Sequence, residues 1–81
     1  MLTVKVLGGG CANCKRLEQH VRQAGAELDL KMEVVKVTEI QDIMAFNVMS
    51  TPGLVINDKV VSSGRVPSPA EVKGLLAEAA E

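Results

Sequence analysis

The chain has 81 residues, with nine basic and ten acidic side chains and a formal net charge of −1. Neither sign of charge forms a long run and the sequence offers no basic face, so nucleic acid is not an expected partner. Its 47% hydrophobic residues include one aromatic side chain, Phe46, so we expect a small aliphatic core. No apolar run approaches the about 20 residues that cross a bilayer, and residues 1–7 lack the pattern of a secretory signal. We therefore expect a cytoplasmic protein with no membrane partner.

The first half of the chain predicts a strand, a helix and a second strand. Residues 2–7 are mostly apolar and β-branched, as is typical of a strand. Residues 12–26 repeat apolar side chains at helical spacing, and the helix is expected to end near Gly25, with His20 on its solvated side. The apolar stripe consists of Cys14, Leu17, Val21 and Ala24. Residues 32–37 favour a second strand, which this helix would connect in parallel to the first.

The next segments predict a short helix and a hairpin. A capping box at residues 38–41 would begin the helix, which would end around residues 46–47. Its apolar side is expected to consist of Ile40, Ile43 and Met44. Residues 53–57 and 59–63 are predicted as two strands joined by a tight turn at Asn57-Asp58.

The last segment predicts a third helix. Ser68 is the expected N-cap, Pro69 suits the first helical position, and Glu71 completes a capping box. The apolar face of this helix would consist of Val72, Leu75, Leu76 and Ala79. The predicted order of elements is therefore βαβαββα.

The chain's only two cysteines, Cys11 and Cys14, fall between the first strand and the first helix. A helix start presents unpaired backbone N–H groups and a positive dipole end, so a thiol there ionises more easily than usual. Residues three apart are neighbours on a helix, so the two sulfurs can meet. This arrangement suits dithiol–disulfide exchange or a soft metal ion, and the plain alternative is a pair of inert core cysteines.

The motifs, taken in order, resemble the thioredoxin fold and, more closely, the small thioredoxin-like, glutaredoxin-sized redox-active disulfide proteins of archaea and bacteria. The matching segments are VKVLG at 4–8, CANCK at 11–15, VMSTP at 48–52, VVSSG at 60–64 and VPS at 66–68. The resemblance covers nearly the whole chain and implies one thioredoxin-like domain, residues 1–81. It also implies an α/β fold, with a four-stranded mixed sheet of order 2-1-3-4 and helices on both faces. The first and third helices would share one face.

The resemblance implies a thiol-disulfide oxidoreductase in which Cys11 attacks a substrate disulfide and Cys14 resolves the mixed disulfide. It also implies a cis bond before Pro52, with the Thr51 backbone beside Cys11, where an extended substrate segment can pair. The structural alternative is an ordinary proline at a strand start. The expected substrate-binding residues are Gly10, Ala12, Asn13, Thr51, Pro52 and Gly64. Expected partners are disulfide-containing proteins and a thioredoxin-reductase-like electron donor; no cofactor or metal is expected, and the protein should be a monomer.

Three departures from thioredoxins proper bear on mechanism. Gly10 stands where those proteins have tryptophan before the first cysteine, and Ala12-Asn13 replaces Gly-Pro between the cysteines. In an ungapped comparison, their buried aspartate, about six residues before the first cysteine, would fall on Lys5. The sequence therefore assigns no side chain to proton transfer at Cys14, and it leaves the use of glutathione open.

Two alternative functions use the same cysteines: a small metal-binding module and a redox-regulated binding module. Copper chaperones also place a C-x-x-C between a strand and a helix, and two thiolates suit Cu(I). Those domains usually have methionine where this chain has Gly9, and their order of elements is βαββαβ. A zinc site would need four ligands, for which the chain offers only Cys11, Cys14 and the distant His20. The other alternative is a redox-regulated binding module, in which disulfide formation changes a partner surface without turnover.

Overall fold

The computed structural model describes residues 2–8, 12–48 and 50–80. The elements in these ranges are β1 (Leu2–Leu7), α1 (Ala12–Glu27), β2 (Met32–Val37), α2 (Ile40–Ala45), β3 (Gly53–Ile56), β4 (Lys59–Ser63) and α3 (Pro69–Ala80). The predicted order βαβαββα is confirmed. No helix in these ranges is both long and apolar enough to cross a membrane.

The strands form one mixed sheet in the order β2-β1-β3-β4, as the resemblance implied. β1 runs parallel to β2 and antiparallel to β3, and β3 pairs antiparallel with β4. The parallel pair is connected by α1, because two parallel strands need a long crossover. The hairpin turn consists of Asn57 and Asp58, both with positive φ, which is the backbone geometry of a tight two-residue turn. β3 therefore ends at Ile56, one residue earlier than predicted.

One face of the sheet, which we call the large face, carries α1 and α3. Leu2, Val4 and Val6 of β1 point to this face because side chains alternate along a strand. The large-face cluster of buried residues comprises Leu2, Val4, Val6, Leu17, Val21, Ala24, Leu54, Ile56, Val72 and Leu76. The predicted stripe of α1 is buried, and Leu75 and Ala79 of α3 pack partly against the same cluster.

The opposite face, which we call the small face, carries α2. Its cluster comprises Leu7, Ile43, Val48 and Val55, with Val37 and Phe46 packed against it. The expected apolar side of α2 is wrong in two of its three residues, because Ile40 is 72% exposed and Met44 is 65% exposed. α2 has only six residues, and the segment that follows it supplies Phe46 and Val48 to the cluster in their place.

The helix ends differ from the predictions at two places. At α2 the N-cap is Glu39 with no capping bond from its side chain, so the capping box predicted from Thr38 is wrong. α1 continues past Gly25 to Glu27. Gly25 packs against Met32 of β2, where a Cβ would overlap the Met32 side chain. Ser68 does cap α3, with its Oγ accepting from the Glu71 N–H at 3.2 Å.

The prediction of a solvated His20 is also wrong. The ring is half-buried, and its Nδ1 lies 2.9 Å from the carbonyl oxygen of Pro67. Pro67 is itself buried in the segment that leads into α3. His20 therefore connects α1 to the start of α3.

Candidate active site

Cys14 lies in the first turn of α1, at the end of the sheet where β1 stops. Its side chain is only 5% exposed, because it begins the apolar stripe that continues through Leu17 and Val21. Cys14 is disulfide-bonded. The predicted site residues Gly10 and Cys11 lie outside the described residues.

Gly8, the residue after β1, lies between Cys14 and Thr51. Its φ of +148° falls in a region that side chains rarely adopt, and its N–H donates to the Val37 carbonyl at 2.9 Å. A Cβ built on Gly8 would overlap the Cys14 Sγ and lie 3.6 Å from the Thr51 Cβ. Gly8 thus allows Cys14 and Thr51 to approach the same point. This role was not predicted from the sequence, although a glycine between a strand and a C-x-x-C was the available signal.

The Thr51-Pro52 peptide bond is cis, as the resemblance implied. Pro52 is buried, whereas Thr51 is exposed. The Pro52 carbonyl accepts a hydrogen bond from the Gly64 N–H at 2.9 Å, which joins the end of β4 to this segment. Gly64 has a φ of +73°, and a Cβ there would lie 3.0 Å from the Ser50 Cβ. The fold therefore brings Cys14, Thr51, Pro52 and Gly64 to one end of the sheet.

Ala12 and Asn13 occupy the first two positions of α1 and are both exposed. They lie on the solvent side of the turn that buries Cys14. Their side chains are open to a molecule approaching the start of α1.

A pocket of about 210 Å³ opens beside Cys14. Its lining residues are Val6, Gly8, Cys14, Lys15, Glu18, Lys36 and Thr38. A larger, more open depression of about 420 Å³ lies at the other end of β3, around Asn57 and Lys59, and does not reach Cys14. Of these two pockets, the smaller one is therefore the one that contacts the candidate active site.

Glu18 brings a carboxylate to the wall of this pocket. Its Oε2 accepts from the Arg22 guanidinium at 2.9 and 3.0 Å, and its Oε1 lies 3.2 Å from Lys36 Nζ. The hydrogen bonds from Arg22, and then the Lys36 ammonium, hold the pKa of the Glu18 carboxyl below its usual range, although burial acts in the opposite direction. Glu18 is thus ionised near neutral pH and connects α1 to β2.

Lys5 does not line this pocket. Side chains alternate along β1, so Lys5 lies on the small face while its neighbour Val6 lines the pocket. The Lys5 ammonium lies 3.2 Å from Asp58 Oδ1 and 5.2 Å from the centroid of the Phe46 ring. Its contacts are therefore structural.

The metal alternatives are not supported. Across residues 2–8, 12–48 and 50–80, no group of three or more histidine, cysteine, aspartate and glutamate side chains could hold a metal ion. The order βαβαββα also differs from the βαββαβ order of copper chaperones.

Solved thioredoxins share this fold. Thioredoxin-2, a component of the malaria parasite protein secretion machinery, superimposes with a TM-score of 0.71 at 14% identity, covering 96% of this chain and 82% of that one. The germline-specific thioredoxin Deadhead of Drosophila melanogaster gives a TM-score of 0.67 at 19% identity, covering 95% and 79%. At these identities the likeness concerns the fold alone.

Sequence relatives give closer matches. The thioredoxin of Methanothermobacter thermautotrophicus is 36% identical over 76 residues, which are 94% of this chain and 99% of that protein. The thioredoxin of Methanocaldococcus jannaschii is 36% identical over 73 residues, which are 90% and 84% of the two chains. The family model described as a thioredoxin domain matches residues 2–77. On these matches, the chain belongs to the thioredoxin family.

Proposed function

We propose that this protein is a thiol-disulfide oxidoreductase that reduces protein or small-molecule disulfides through a cycle at Cys11 and Cys14. Membership of the thioredoxin family supports the general activity. The observation that carries the proposal is the state of Cys14, which is disulfide-bonded and buried in the first turn of a helix. A helix start stabilises the thiolate that both halves of the cycle require.

The two cysteines have different roles in this proposal. Cys11, as a thiolate, attacks one sulfur of the substrate disulfide and forms a mixed disulfide, and the other substrate sulfur leaves as a thiol. Cys14 then attacks the Cys11 sulfur, which releases the second substrate thiol and leaves Cys11 and Cys14 oxidised. The 5% exposure of Cys14 supports its assignment as the resolving cysteine, because an external disulfide cannot easily reach it.

Substrate would bind across the exposed surface around Cys14. Thr51 is exposed beside buried Pro52, so an extended substrate segment could pair with the Thr51 backbone. We assign flanking contacts to Gly10, Ala12, Asn13 and Gly64. The exposure of Ala12 and Asn13 at the start of α1 supports this assignment.

We further propose that residues 1–81 act as one monomeric domain in the cytoplasm. A reductase of the kind that serves thioredoxins would return electrons to the Cys11–Cys14 disulfide. The family match over residues 2–77 supports the single domain. A glutathione-dependent cycle is the alternative source of electrons.

A trapping experiment tests the assigned roles. Turnover of a disulfide-bonded peptide is measured for the wild-type protein, Cys11→Ser and Cys14→Ser with a dithiol donor, and adducts are counted by mass after the reduced proteins are incubated with the peptide without the donor. We expect turnover by the wild type, an accumulating peptide adduct on Cys14→Ser, and neither turnover nor adduct with Cys11→Ser. An adduct that forms on Cys14 in the Cys11→Ser variant would reverse the two roles, and absence of wild-type turnover would reject the activity.

A further inference from the structure

The pocket beside Cys14 contains charges that the proposed cycle has not yet used. We propose that Glu18 and Lys36 govern the loss of the proton from Cys14, with the carboxylate opposing ionisation of the thiol and the ammonium favouring it. This inference rests on the proposed function, because the proton of Cys14 matters only if Cys14 resolves a mixed disulfide.

Glu18 and Cys14 share one pocket. Glu18 follows Cys14 by four residues in α1, so the two side chains are neighbours on one face of the helix, and both line the same pocket. The side chain of Glu18 is 14% exposed, so solvent screens its charge less than that of an exposed glutamate.

Lys36 acts from the opposite wall. It belongs to β2, and its Nζ lies 3.2 Å from Glu18 Oε1, so the carboxylate fixes the ammonium at the pocket. The Lys36 side chain is 61% exposed, so its influence on the thiol should be the weaker of the two.

Among the described residues, the other charged group that lines the pocket beside Cys14 is also on α1. On α1, Lys15 also lines the pocket and Arg22 binds Oε2 of Glu18. β1 contributes Val6 and Gly8, and the segment after β2 contributes Thr38, none of which is charged. Glu18 is thus the negative charge at this wall, and Lys5 points to the other face of the sheet.

The pair acts at the resolving step of the cycle. Cys14 loses its proton to solvent in the pocket, and its sulfur forms a bond to the Cys11 sulfur. The bond between Cys11 and the substrate sulfur breaks, and the substrate sulfur leaves with the electron pair and takes up a proton. By keeping Cys14 protonated until that step, Glu18 helps to leave Cys11 as the thiolate in the reduced protein.

The test is a pH titration of Cys14 alone in the Cys11→Ser background, with Cys14 reduced. The chain has no tyrosine or tryptophan, so ultraviolet absorbance reports the thiolate directly. Glu18→Gln should raise the thiolate fraction about three- to tenfold at a fixed pH below the midpoint, because one nearby negative charge is removed. Lys36→Met should lower that fraction, by a smaller factor. Circular dichroism checks that each variant is folded.

Glu27→Gln is the matched control, because it removes one negative charge from the far end of the same helix, where Glu27 pairs with Lys73. An unchanged titration in Glu18→Gln, or shifts of the same sign in Glu18→Gln and Lys36→Met, would overturn the inference. If these shifts appear but the wild-type protein has no disulfide turnover, the proposed function fails while the coupling stands. Wild-type turnover with an unmoved titration would reject the coupling alone.

Discussion

The two faces of the sheet are built very differently, although they share the same strands. The large face buries residues of α1, α3, β1 and β3 in one cluster, whereas the small face holds α2 mainly through Ile43. Cys14 belongs to α1 and therefore depends on the better-packed face. Packing of α1 on the large face therefore sets the position of Cys14. On the small face, the exposed side chains of Ile40 and Met44 leave α2 with an uncovered apolar surface.

The largest expected effect is on the large face. Leu17 is completely buried one turn after Cys14, so Leu17→Ala should lower the free energy of unfolding by about 3 kcal/mol through lost burial and a cavity. Chemical denaturation followed by circular dichroism measures this change. A loss below about 1 kcal/mol would mean that the large face does not anchor α1.

The corresponding change on the small face should cost less. Ile43 is 8% exposed and belongs to a smaller cluster, so Ile43→Ala should cost about 2 kcal/mol in the same assay. Its redox behaviour should also stay closer to the wild type than that of Leu17→Ala, because Ile43 belongs to the small-face cluster and α1 packs on the large face. If Ile43→Ala proved the more destabilising of the two, the ranking of the faces would be wrong.

The stability that the charged side of α1 contributes should depend on pH, whereas the contribution of its apolar side should not. The folded-state pKa of Glu18 is lowered by Arg22 and Lys36, so the ionised carboxylate stabilises the fold at neutral pH. That stability is lost as the pH falls below about 4.3, the usual pKa of glutamate, and through the lowered pKa of the folded state. Glu18→Gln should therefore be less stable than wild type at pH 7 by about 1 kcal/mol or less, and the difference should shrink in acid.

Urea titrations of the two proteins at neutral and acidic pH measure this convergence. The Glu27→Gln variant, which removes an exposed carboxylate from the same helix, provides the comparison. A constant difference between wild type and Glu18→Gln at every pH would show that the ion pairs do not account for it.

The smallest effect is expected at the exposed surface of α2. A combined Ile40→Gln and Met44→Gln variant should change stability by no more than about 0.5 kcal/mol, because both side chains already lie in solvent. Thermal unfolding of the double variant is sufficient. A loss as large as that of Ile43→Ala would show that these side chains pack in solution.

Much of the fold was predictable because its local signals agree with one another. The strands β1, β2 and β4 begin and end at the predicted residues, where apolar β-branched segments stop at glycine or polar residues. The stripe of α1 from Cys14 to Ala24 is buried as expected, since a helix of 16 residues has a clear apolar face. At six residues α2 is too short for that signal, and the choice of Ile43 over Ile40 and Met44 depends on packing with Phe46 and Val48.

The candidate site was only partly predictable for a similar reason. Cys14, Thr51 and Pro52 carry local sequence signals, and the cis bond followed from the resemblance. The contact of Glu18 with Lys36 joins a helix to a strand 18 residues away in sequence, and it exists only once β2 pairs with β1. Gly8 likewise gained its role from the close approach of two distant side chains.

The central claim, that Cys11 and Cys14 form a working redox pair, has one direct test. The metal-free protein is equilibrated without oxygen in dithiol and disulfide buffers of defined potential, its free thiols are alkylated, and the added groups are counted by mass. We expect one reversible transition in which both thiols are lost together within a monomer. If no intramolecular disulfide forms reversibly, or if the cysteines titrate independently into mixed disulfides with the buffer, the account is contradicted.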